Sequence, residues 1–222
     1  MRLGSAERYL LPLGVATIAS AGLLAAESLI YGETTHDYLL WNLFLSWLPF
    51  ILASWLKRTL TNHLWSSWRA LFITTAWLLF LPNSFYMVSD FIHLHELGED
   101  QILFGAITFT AFVFTSLCLG IASLYIVHTE LLKRLSGRAA AILVGALLLI
   151  VSTAIYVGRD LRWNSWDIII SPFGLLFDIS ERLLHPDQYA QVLGVVLPFF
   201  VLLATMYFVI WQTAHMLGKT PE

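Results

Sequence analysis

Charge is what this sequence has least of. Asp, Glu, Lys and Arg make up 12% of its 222 residues, against 58% hydrophobic ones, roughly half the charged share of a soluble domain. With a mean hydropathy of +0.74, that scarcity excludes an ordinary soluble chain and leaves the membrane class. Cysteine is scarcer still. Cys118 is alone, so no internal disulfide and no paired-cysteine metal site can form, and its apolar surroundings suit a small buried hydrophobe. The chain has no HExxH sequence, no lipidation box, no internal repeat and no low-complexity segment. Its net charge of −3 is mild, and no nucleic-acid partner is expected. The first apolar run, Tyr9–Tyr31, is too long for the core of a signal peptide and lacks a clear processing site, so it is read as a retained span.

What is abundant is long apolar sequence. Six runs can cross a hydrocarbon core of about 30 Å, which takes about 20 helical residues: Tyr9–Tyr31, Tyr38–Leu56, Ala70–His93, Ile102–His128, Ala139–Val157 and Gln191–Trp211. Helix is the state that pairs every backbone group in lipid. The expectation is an all-α integral membrane protein, one compact bundle over residues 1–222. Ala16-x3-Ser20, Gly22-x3-Ala26, Ser116-x3-Gly120 and Ala141-x3-Gly145 are candidate close-approach faces. Pro49, Pro82 and Pro198 each remove an intrahelical hydrogen bond. Asn83 or Thr75 is placed to satisfy a carbonyl freed near Pro82.

The few charges are sorted by side. Arg2, Arg8, Lys57, Arg58, Arg69, Lys133, Arg134, Arg138 and Lys219 lie on the side of the N-terminus, and only Arg159, Arg162 and Arg182 lie opposite. Nine against three places both termini in the cytoplasm. Of the acids, only Glu7, Glu130 and Glu222 fall inside. Lys57-Arg58 and Lys133-Arg134 are read as topology determinants, and His63, His128 and His215 as interfacial anchors.

Two polar stretches stand out against this background. In the first, Asn83, Tyr86, Asp90 and His93 follow Pro82 at i, i+3, i+7 and i+10, one stripe of a continued helix. A carboxylate and an imidazole at the edge of a membrane make a candidate functional site. The second, Gly158-Arg159-Asp160-Leu161-Arg162-Trp163-Asn164-Ser165-Trp166-Asp167, opens the long fifth loop. Its bland reading is an interfacial belt of Trp and snorkelling Arg. Its functional reading is a clamp in which guanidinium forks hold a phosphate or carboxylate. Further along, Ser171-Pro172 starts a helix to about Leu184, too short to cross. It is expected to be an amphipathic interfacial helix on the outer surface.

With Leu81-Pro82-Asn83-Ser84-Phe85-Tyr86, Asp90 and His93-Leu94, and with Gly158-Arg159 and Arg162-Trp163-Asn164-Ser165-Trp166-Asp167, the chain resembles the bacterial membrane-protein family of domain of unknown function 1361. The similarity covers nearly the whole chain; Phe85 stands where the family often has proline, which leaves the stripe intact. The resemblance implies a multi-span fold in a prokaryotic plasma membrane and brings no activity with it.

The chemistry must therefore come from the residues. Asp90 would orient His93 as a general base, and Arg159 and Arg162 would hold an anionic group and stabilise developing negative charge. Asn83, Tyr86, Asn164 and Asp167 complete the expected substrate contacts. Asp90 needs a cation or several donors at its depth, and the two motif arginines are the expected source. A metal held by Asp90, His93 and a third ligand from Glu27 or His36 is the less favoured form; no metal ligand is assigned and the cofactor is left open. The expected function is an enzyme or binder for an anionic, lipid-linked substrate at the outer leaflet, with membrane lipid as its surroundings. The alternatives are a small-solute transporter or channel and a non-enzymatic assembly partner. The centres of all six spans lack Asp, Glu, Lys and Arg, which counts against an ion-coupled carrier.

Overall fold

A computed structural model describes residues 7–32, 36–161, 170–171, 173–174, 177, 180–181 and 186–217. They are helical with no strand among them: α1 (Glu7–Tyr31), α2 (Tyr38–Thr59), α3 (Trp68–Phe80), α4 (Asn83–Tyr86), a 3₁₀ helix (Met87–Glu96), α5 (Ile102–Leu132), α6 (Gly137–Asp160) and α7 (Pro186–Leu217). Six stretches are long and apolar enough to cross a membrane: Tyr9–Tyr31, Tyr38–Thr59, Trp68–Glu96, Ile102–Leu132, Gly137–Asp160 and Val192–Met216. Each overlaps a run expected from the sequence. This is a multi-pass, all-helical membrane protein. The contacts gather into two compact units, Met1–Glu130 and Leu131–Glu222.

Within the first unit, α2 packs along α3 and α4, and side-chain hydroxyls tie the helices together where lipid offers no hydrophobic driving force. Ser20 Oγ lies 3.1 Å from Thr115 Oγ1, joining α1 to α5. Trp47 Nε1 donates to Thr17 Oγ1 at 3.1 Å, joining α2 to α1. The fully buried Trp77 donates to Ser123 Oγ, which donates in turn to the carbonyl of Pro49 at 3.0 Å.

The break at Pro82 is where the third span changes character. α3 begins at a Ser67 cap that accepts from Ala70 N–H, and it stops at Phe80 because proline cannot continue the ladder. Asn83 Nδ2 donates to the Phe80 carbonyl at 3.1 Å, the capping role expected for it. Around the break, Ser46 and Ser116 share a 2.6 Å hydrogen bond, Ser84 Oγ donates to Ser46 O, and Ser116 Oγ donates to Ser84 O. Gly120 lets this contact close: a Cβ there would lie 2.8 Å from both Ser84 Cβ and Phe85 Cζ. Ser116-x3-Gly120 is thus a close-approach face, whereas Gly22 and Gly145 have open space beside them. His128, expected at an interface, is buried, as is Glu130.

In the second unit α6 starts at a Ser136 cap and packs on α7. Tyr156, Val157, Val192 and Val196 form its buried cluster. Much of the expected surface helix from Pro172 to Leu184 lies outside the described residues; Phe173 and Phe177, which fall inside them, are exposed.

Candidate functional site

The site is built where α1 ends and α2 begins. α1 closes on Gly32, whose φ of +93° lets the chain leave in a left-handed turn that side chains with a Cβ resist. His36 lies one residue before the Asp37 cap position of α2, Leu39 N–H bonding to His36 O. Glu27, in the last turns of α1, and His36 are both buried, with His36 Nδ1 3.7 Å from Glu27 Oε1. Glu27 Oε2, both ring nitrogens of His36 and the Tyr38 hydroxyl are buried without a hydrogen-bond partner among the described residues. His36 lies edge-on to Phe109, ring centres 5.0 Å apart.

The second half of the site comes from the segment after Pro82. Instead of continuing as α-helix, residues Met87–Glu96 form a ten-residue 3₁₀ helix, much longer than the three or four residues usual for this conformation. The difference changes the stripe. With three residues per turn, side chains at i and i+3 eclipse, so Asp90, His93 and Glu96 stand in line. His93 Nδ1 is bonded to Glu96 Oε1 at 2.9 Å. The carboxylate bonded to His93 is therefore Glu96, and Asp90 lies within electrostatic reach of the same ring. Asp90, buried, accepts from Asn42 Nδ2 of α2 at 3.0 Å. Tyr86 O accepts from Ser89 Oγ at 2.7 Å, and Ser46 Oγ reaches Asn83 O at 3.3 Å. His95 turns back to the Ile92 carbonyl.

Tyr38 links the two halves. Its ring meets His93 edge-on at 5.5 Å and His36 at 6.2 Å, and Asp90, Glu96 and Tyr86 lie within electrostatic reach of its hydroxyl. Gly105 of α5 keeps the assembly close: a Cβ there would run into Leu97 Cδ1 and stand 3.7 Å from Glu27 Oε1. Tyr31 adds a further tie, donating to Asp100 O at 3.3 Å and packing edge-on to Phe104.

Of the expected site residues, Asn83, Tyr86, Asp90 and His93 all lie on this one connected segment. Arg159 sits on α6 in the other compact unit, and Arg162, Asn164 and Asp167 lie outside the described residues. Glu27 and His36 were expected only as alternatives for the third ligand of a metal, and Tyr38, Asn42 and Glu96 had no expected role. Two signals point to some of them: an acid within the last turns of an apolar run, and an Asn just inside another, are both costly in lipid and need a partner. Among the described residues, no three His, Cys, Asp or Glu side chains come together as a metal site would need.

The family model for DUF1361, described as a protein of unknown function, matches residues 41–206. Asn42, Asp90, His93 and Glu96 fall inside that stretch, and Glu27, His36 and Tyr38 precede it. No curated protein and no solved structure matches the chain.

Proposed function

The chain belongs to the DUF1361 family, and from the geometry of its first unit we propose that this multi-pass membrane protein carries an acid–base site for the polar head of a lipid-linked, anionic substrate. The carrying observation is the Glu27–His36–Tyr38 group, with four buried polar atoms that find no hydrogen-bond partner among the described residues. Leaving a buried polar group unpaired costs about 1–3 kcal/mol, so each such group calls for a partner: a ligand, a reacting group or an ordered water. His93 is the proposed general base. Its Nδ1 is engaged by Glu96, which fixes the ring and leaves Nε2 to take a proton, as an orienting carboxylate does for a catalytic histidine. Behind it, His36 and the Tyr38 hydroxyl are spare hydrogen-bonding groups for the substrate head.

The chemistry proposed is hydrolysis or group transfer. The charge bias of the loops favours the outer leaflet of a prokaryotic plasma membrane with both termini cytoplasmic. Arg159, Arg162, Asn164 and Asp167 are kept as sequence-based candidates for holding the anionic group, and Asn83 and Tyr86 as candidates for contacting it. The reading of the first unit stands without them. The absence of Asp, Glu, Lys and Arg from the centres of the spans favours this over a carrier.

Native mass spectrometry of the full chain, purified without added lipid, tests the reading. The expected spectrum holds a phosphate- or carboxylate-bearing lipid-linked adduct that is lost in His36→Phe and in His93→Gln. No adduct, or one retained equally by both folded variants, overturns it.

A further inference from the structure

The opposite end of the first unit holds a second feature. α2 ends with Lys57 and Arg58 in its last turn, the chain turns through residues 60–67, and α3 starts at Trp68 with Arg69 beside it. Between the two helices is a cavity of about 660 Å³, lined by Trp55, Arg58, His63, Trp68, Arg69 and Phe72 among others. Its lining holds two guanidinium groups, and no carboxylate lines it among the described residues. Trp55, Trp68 and Phe72 are all largely exposed along it, and the Arg69 guanidinium lies 5.6 Å from the centre of the Trp68 ring.

These observations fit one ligand chemistry. The planar donors of a guanidinium group match phosphate oxygens. A free phosphate would use the arginines and leave the aromatic wall idle. A phospholipid uses both, since Trp belongs at headgroup depth and aromatic faces cover acyl chain. The volume falls within the range of small-molecule sites, enough for a headgroup and the start of a chain. Basic pockets between spanning helices recognise anionic headgroups through the same charge complementarity.

We propose that this cavity binds an anionic phospholipid, its phosphate held by Arg58 and Arg69 and its acyl chain laid along Trp55 and Phe72. The site is separate from the acid–base site and shares no residue with it, so neither proposal depends on the other.

The test is native mass spectrometry of the full chain in detergent, titrated with dioleoyl phosphatidylglycerol or dioleoyl phosphatidylcholine. The wild type is expected to retain phosphatidylglycerol in preference. Each arginine close to an anionic headgroup is worth about fivefold in binding, so Arg58→Gln with Arg69→Gln should lower retention about thirtyfold. Arg69→Gln alone should lower it about fivefold and serves if the double variant fails to fold. Lys57→Gln, adjacent in sequence but outside the cavity lining, should keep the preference. Equal retention of the two lipids by the wild type, or an undiminished preference in Arg69→Gln, overturns the proposal. So does displacement of phosphatidylglycerol by millimolar inorganic phosphate, which would make this a phosphate site.

Discussion

Glu27 and His36 stand 3.7 Å apart, each 3% exposed, with the Gly32 turn between them in the chain. At that separation the two groups face each other without a hydrogen bond, and Glu27 Oε2 and both ring nitrogens of His36 find no hydrogen-bond partner among the described residues. The arrangement holds a carboxylate and an imidazole in a dry setting with capacity to spare. A structural ion pair would instead fill that capacity, because unmade hydrogen bonds in low dielectric forfeit stability.

Substitutions at this pair should therefore separate stability from function. Glu27→Gln or His36→Ala alone leaves the other group buried beside nothing that balances it, and breaking a buried pair this way costs about 3–5 kcal/mol. Glu27→Leu combined with His36→Phe removes both demands and should recover most of the lost thermal stability. Melting curves of the three proteins decide it. A double variant no more stable than the singles would mean that the pair is not the buried, self-contained unit described.

Two glycines offer a second comparison. A Cβ at Gly105 meets the flexible end of Leu97, while one at Gly120 meets Ser84 Cβ and the ring of Phe85 at 2.8 Å. Leu97 can rotate; Ser84 cannot, because its hydroxyl and carbonyl are both bonded in the serine cluster. Gly120→Ala should destabilise by about 1–3 kcal/mol, as overpacking does, and Gly105→Ala by less, with Leu97→Ala restoring the loss. Equal melting temperatures for the two alanine variants would contradict this difference.

The spans were legible because lipid imposes one rule, an apolar run of sufficient length, and all six runs satisfy it. The break at Pro82 was legible for an equally local reason, and Asn83 does cap the Phe80 carbonyl as expected. The register beyond it was not. A 3.6-residue period aligns Asp90 with His93 only approximately, and nothing in the local composition of Met87–Glu96 announces a three-residue period. That choice is made by contacts with other elements, such as Asn42 on Asp90, and it is what brings Glu96 onto His93. The pairing of Glu27 with His36 was hidden for a related reason: it depends on the direction the chain takes after Gly32, which composition does not encode.

The serine cluster carries a prediction of its own. Ser46 and Ser116 are both fully buried and 2.6 Å apart; with Ser116 Oγ donating to Ser84 O, the proton of the shared bond comes from Ser46. Ser46→Ala and Ser116→Ala should each cost about 1 kcal/mol. Neighbours in one network are not independent, so the double variant should cost less than the sum by at least about 0.5 kcal/mol. An additive double-mutant cycle in denaturant would show that the two hydroxyls do not share a bond.

Sidedness is the last prediction, and the structure improves the positions at which to ask it. The two ends of α5 are joined by 31 residues of helix, about 46 Å at 1.5 Å per residue, more than a hydrocarbon core. Glu99 is exposed just before one end and Gly137 just after the other. Gly137 has open space where a side chain would go, whereas Ser136 holds the α6 cap and is better left alone. In a Cys118→Ala background, cysteine at Glu99 should react with an impermeant maleimide in sealed cells, and cysteine at Gly137 only after the membrane is opened. The expectation rests on nine Lys and Arg against three across the membrane, a bias that orients spans through their short loops. The reverse labelling pattern would place the Glu27–His36–His93 site on the cytoplasmic side. The proposed substrate would then have to be presented from the inner leaflet, and the outer-leaflet reading would fall while the acid–base geometry stood.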